Sequence, residues 1–87
     1  MTLTLYTQPA CSQCNMTKKW LDDPERGNLK DQYQIIDLTQ SPEDLAKVKA
    51  LGYMSAPVVV AGDKHWYGFR PDLLAEVTAR TAQDEAA

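Results

Sequence analysis

The sequence predicts an α/β domain: a four-stranded mixed sheet, elements in the order β-α-β-α-β-β-α, with helices on both faces. Three observations carry this expectation. The opening stretch TLTLY, residues 2–6, alternates small polar and apolar residues as a strand does. The segment SPEDLAKVKALG, residues 41–52, carries helix signals at both ends. Two short apolar runs, PVVV at 57–60 and HWY at 65–67, flank a Gly62-Asp63 turn and read as an antiparallel hairpin.

The remaining elements fit between these. TQPA ends the first strand, and from Cys11 to about Leu21 the residues suit a helix with Cys14, Thr17 and Leu21 along one face. Pro24 and Gly27 in DDPERGN stop it. YQIIDL, residues 33–38, reads as a second strand. In the next helix Ser41 offers an N-cap oxygen, Pro42 suits the first helical position, and Glu43 and Asp44 suit its positive end. Leu45, Val48 and Leu51 form its apolar stripe, and Gly52 suits the C′ position. A final helix opens near Pro71-Asp72 and should bury Leu73, Leu74 and Val77. Strand, helix, strand at the start is a right-handed crossover giving a parallel pair, which the later hairpin extends to four strands. This arrangement is thioredoxin-like. Residues 1–80 are expected to form the domain, and 81–87 (TAQDEAA) a flexible C-terminal tail.

Bulk properties bound the function. Eighty-seven residues make one small domain, and 44% hydrophobic with 24% charged residues is the composition of a soluble globular protein. The longest apolar run, APVVVA at 56–61, is too short to cross a bilayer, so no membrane partner is expected. The start, MTLTLYT, lacks the basic region and long apolar segment of a secretion signal, which points to the cytoplasm. A net charge of −3 argues against general nucleic-acid binding, which needs clustered cations. Lys18 and Lys19 are the one adjacent basic pair; they read as solvated helix residues or as an attraction for acidic partners near the cysteines.

The chemistry lies in QPACSQC, where Cys11 and Cys14 stand two residues apart. Where lasting disulfides are uncommon, such a pair is catalytic or metal-binding rather than structural. A structural zinc site wants four ligands, and the only further candidate, His65, lies in a distant strand as an expected surface residue. An inert crosslink closing so small a loop adds little chain-entropy stabilisation. Redox exchange fits better. A free thiol with a pKa near 8.5 is roughly one-tenth ionised at pH 7.5. A helix N-terminus favours the thiolate, and a pKa of about 7 makes roughly three-quarters of it reactive. Cys11 is placed at that end, with Cys14 one turn further in, where it can attack a mixed disulfide on Cys11. No metal and no bound cofactor are expected beyond the redox-active disulfide.

YTQPACSQCNMTKKWL together with LGYMSAPVVVAGDKHWYGFRPDLL resembles the NrdH-redoxins, glutaredoxin-sized proteins with thioredoxin-like behaviour. The similarity runs from Leu3 to about Leu74, and GFRPD at 68–72 is its most specific part. The resemblance implies a cis bond before Pro57, which faces the cysteines, and a backbone at Ala56 that holds a partner's extended segment. It implies that Ser12, Gln13, Trp66, Gly68, Phe69 and Arg70 surround the site as partner-binding positions. Trp66 and Phe69 are equally readable as core aromatics, and Arg70 as a partner of Asp72. Where glutathione-using glutaredoxins carry a Gly-Gly and an acidic residue, this chain has Tyr67, Gly68, Phe69 and Arg70.

The resemblance further implies reduction by thioredoxin reductase and electron donation to the large subunit of an aerobic, manganese- or iron-dependent (class Ib) ribonucleotide reductase, by a monomer. Two functions compete with this one: a glutathione-dependent glutaredoxin, and a redox-sensing binding module without turnover. Three features depart from the family pattern. Tyr67 replaces a small Ser, Ser12-Gln13 replaces Val-Gln or Met-Gln, and Asp22 to Gln32 is a few residues longer than usual. That longer segment is expected to lie away from the cysteines.

Overall fold

The computed structural model describes the backbone of residues 3–86 and the side chains of residues 3–79. Its elements are β1 (Leu3–Thr7), α1 (Ser12–Asp22), β2 (Gln34–Asp37), α2 (Pro42–Ala50), β3 (Val58–Ala61), β4 (Lys64–Tyr67) and α3 (Pro71–Ala86). The sheet order is β2-β1-β3-β4. β1 and β2 run parallel, Tyr6 opposite Ile36, while β3 is antiparallel to both β1 and β4. This is the expected mixed sheet in a thioredoxin-like fold. The backbone of α3 is helical through Ala86, which includes most of the stretch expected as a tail; Ala87 lies outside the described residues.

Strand alternation sorts the core into two layers. Leu3, Leu5, Val59, Ala61 and Trp66 pack with Trp20 and Leu21 of α1 and Leu74 and Val77 of α3. Tyr6, Val58 and Val60 face the other way, against Leu45 and Val48 of α2. Because successive strand residues point to opposite faces, the central strands β1 and β3 each serve both layers. Cys14 belongs to the second layer, with Leu38, Val48, Ala56 and Val58.

Two details of α2 correct the sequence expectations. Ser41 is the N-cap residue, but its hydroxyl donates to the Asp44 carboxylate instead of accepting a backbone N–H. A carboxylate three residues on is a stronger acceptor for that proton than anything the helix backbone offers. Leu51, expected in the apolar stripe, is 41% exposed. It is the C-cap, where the chain leaves the helix for Gly52 at φ +98°, and its side chain turns off the stripe. Gly52 takes the expected C′ place; an L side chain at that φ would be strained.

Candidate active site

Cys11 and Cys14 are joined as a disulfide, Cα–Cα 5.2 Å, at the junction between β1 and α1. The junction is shaped by Ala10, which takes a left-handed φ of +56° and turns the chain from strand to helix. Cys11 is the N-cap of α1, in extended conformation, and its Sγ accepts the Cys14 N–H at 3.1 Å. The sulfur thus fills the role that a Ser or Asp oxygen usually plays at a helix start. An N–H aimed at Sγ together with the positive helix end favours a negative sulfur there.

The two sulfurs differ in environment. Cys11 is half-buried and reachable, whereas Cys14 is 3% exposed within an apolar cluster. Of the two sulfurs, Cys11 is therefore the one open to other molecules.

Across from Cys11 the Ala56–Pro57 bond is cis, as the resemblance implied, and the Ala56 carbonyl oxygen lies 3.9 Å from Cys11 Sγ. In the disulfide the sulfur has no proton, so this is a contact rather than a hydrogen bond. Pro57 in turn is tied to the loop before α3: its carbonyl accepts the Gly68 N–H at 2.8 Å. Gly68 sits at φ +91°, a conformation open to glycine. The next amide, Phe69 N–H, donates to Gln13 Oε1 at 3.1 Å.

The expected site residues therefore divide. Gln13, Ala56, Pro57, Gly68 and Phe69 form one connected surround of Cys11, and Ser12 is exposed beside it on α1. Trp66 is a correction as a contact position: it is 5% exposed and points into the core against Val59, because alternation along β4 turns it inward. Its neighbour Tyr67 faces out, 45% exposed. Arg70 is occupied by Asp72, through Nε and Nη2 at 3.2 and 3.0 Å. That hydrogen bond holds the Asp72 carboxyl below its ordinary range. His65 is exposed on β4, its Nδ1 2.8 Å from Tyr53 Oη. Among the described residues no group of three or more His, Cys, Asp or Glu could hold a metal ion.

Sequence reasoning missed Ala10, because alanine carries no signal for left-handed backbone. It also missed the bond between Gln13 and Phe69, whose partners are 56 residues apart. Two cavities lie off the sulfurs. One of about 630 Å³ opens beneath the longer loop, lined by Trp20, Gly27, Leu29 and Thr78 among others. One of about 420 Å³ lies along α1, between Met16, Trp20, Phe69 and Pro71. Asp23 and Arg26 of the longer loop share this second cavity with Phe69, so the loop borders the segment before α3.

An N-capping cysteine, a buried second cysteine one turn on and a cis-proline facing them, on a thioredoxin-like sheet, define a thiol–disulfide oxidoreductase. Residues 3–66 match the glutaredoxin family model, and the chain belongs to that family. Within it, the chain is 36% identical over 74 residues to the glutaredoxin-like protein NrdH of Escherichia coli, covering 85% of each chain. It is also 36% identical over 75 residues to NrdH of Lactococcus lactis, covering 86% of this chain and 97% of that one. The solved structure of NrdH-redoxin from Escherichia coli, a glutaredoxin-like protein with a thioredoxin-like activity profile, superposes with a TM-score of 0.77 at 34% identity. It covers 88% of this chain and 95% of that one. No helix among the described residues is long and apolar enough to cross a membrane.

Proposed function

We propose that this protein is a dithiol electron carrier, reduced by thioredoxin reductase and donating to the large subunit of an aerobic class Ib ribonucleotide reductase. The observation that carries the chemistry is the Cys14 N–H aimed at Cys11 Sγ at 3.1 Å from a helix N-terminus. The Cys11 thiolate attacks a partner disulfide, forming a bond to one partner sulfur and expelling the other as a thiolate. Cys14 then gives up its proton and attacks Cys11 Sγ. The mixed disulfide breaks, the partner leaves as a dithiol, and two electrons have passed from the Cys11–Cys14 pair. Ala56 receives the partner's backbone beside the sulfurs.

Support for thioredoxin reductase over glutathione comes from the loop before α3. A small anionic ligand needs free donors, and several of this loop's are already engaged. Gly68 N–H goes to Pro57, Phe69 N–H to Gln13 and the Arg70 guanidinium to Asp72. The carrier works as a cytoplasmic monomer, with its disulfide as the only redox group. The test is deoxynucleotide formation by a class Ib ribonucleotide reductase supplied with NADPH, thioredoxin reductase and this protein. Turnover is expected with the natural chain and none with Cys11→Ser; a reductase that stays idle with the natural chain overturns the donor role.

A further inference from the structure

Three segments far apart in the chain meet around Cys11, and they are linked almost entirely through backbone atoms. Ala56 O touches Cys11 Sγ, and Pro57 O accepts the Gly68 N–H. The circuit is closed by one side chain: Gln13, which lies between the two cysteines, accepts the Phe69 N–H on its Oε1. The fit is close. A Cβ at Gly68 would stand 3.3 Å from that same Oε1, tighter than ordinary contact. Gln13 itself is anchored from behind, since its carbonyl accepts the hydroxyl of fully buried Thr17 at 2.8 Å. Ordinary substitution cannot remove the backbone links, but it can remove this one.

We propose that Gln13 is a positioning residue for protein disulfides. It holds the Gly68–Phe69 loop, and through Pro57 the carbonyl edge at Ala56, in register with Cys11 Sγ. The proposal rests on the reading of Cys11 as the attacking sulfur. A disulfide embedded in a polypeptide has to lay its chain along Ala56 while its sulfur meets Cys11, so it depends on that register. A small neutral disulfide needs the sulfur alone, so it does not.

Two variants separate these cases. Gln13→Met keeps length and helix preference but offers at most a weak acceptor, whereas Gln13→Glu keeps an oxygen acceptor for the Phe69 N–H. Pre-reduced protein would be reacted in single turnover with insulin and, separately, with 2,2′-dithiodipyridine. For Gln13→Met the ratio of insulin to dipyridyl rate constants should fall about five-fold, the loss expected for one hydrogen bond. For Gln13→Glu both rates should drop together, because the added charge opposes the thiolate, and the ratio should return to that of the natural chain. A ratio unchanged in Gln13→Met, or one equally lowered in Gln13→Glu, overturns the proposal. Iodoacetamide labelling of the same samples separates the two ideas. Labelling at Cys14 first removes the underlying assignment of the nucleophile; labelling at Cys11 with an unchanged ratio removes the role of Gln13 alone.

Discussion

Replacing Cys14 separates its chemical role from its structural one. The side chain is 3% exposed and packs among the apolar side chains of Leu38, Val48, Ala56 and Val58. Cys14→Ser therefore buries a polar group in a dry site, at a cost of about 1–3 kcal/mol relative to the reduced natural protein. Cys14→Ala removes the sulfur without adding a polar atom, and costs about 1 kcal/mol, the scale of one buried methylene. In a domain this size each kcal/mol moves the Tm by roughly 4–8 °C, so the serine variant should melt below the alanine variant. Both should nevertheless behave alike with substrate. After Cys11 attacks insulin no internal thiol can displace the product, and a one-to-one mixed disulfide should accumulate. Thermal melts in reductant and intact-mass spectrometry after mixing with insulin read the two effects separately. A serine variant as stable as the alanine one would refute the dry environment of residue 14. Insulin turnover by either variant without an adduct would refute its role as resolver.

Other expectations are smaller. Ala10 holds φ +56°, where an L side chain costs about 1–2 kcal/mol, so Ala10→Gly should stabilise the protein by a net ~0.5–1 kcal/mol after glycine's extra unfolded-state entropy. A thermal melt in which Ala10→Gly unfolds earlier would contradict the left-handed turn. The Asp72 carboxyl is held below its ordinary 3.8 chiefly by its hydrogen bond from Arg70. A depressed carboxyl contributes stability that is present above its unfolded pKa and lost as the pH falls through the folded one. Asp72→Asn should therefore be slightly less stable than the natural chain at neutral pH and indistinguishable near pH 2, as urea titrations at both pH values would show.

How much of this was legible in the sequence differs by residue. Leu3 to Tyr6 and the hairpin around Gly62-Asp63 announced their strands, because a period of two and a tight turn are local signals. Cys11 at a helix start was legible for the same reason: QPA ends a strand and a helical pattern follows. The inward turn of Trp66 depended on the register of β4 against β3, and one residue of register decides which of Trp66 and Tyr67 is buried. The hydroxyl of Ser41 had two nearby choices, and only the geometry shows that it goes to Asp44. The cis bond at Pro57 came from family resemblance, since the dipeptide Ala-Pro carries no signal for it. The contact of Gln13 with Phe69 is a tertiary event that no local pattern encodes.

The electron source tests the central reading most directly. NADPH oxidation would be followed with this protein and insulin in two parallel reactions, one containing thioredoxin reductase, the other glutathione and glutathione reductase. Sustained oxidation is expected with thioredoxin reductase and little with glutathione. Rapid turnover in the glutathione reaction alone would contradict that reading and make this chain a glutathione-dependent glutaredoxin.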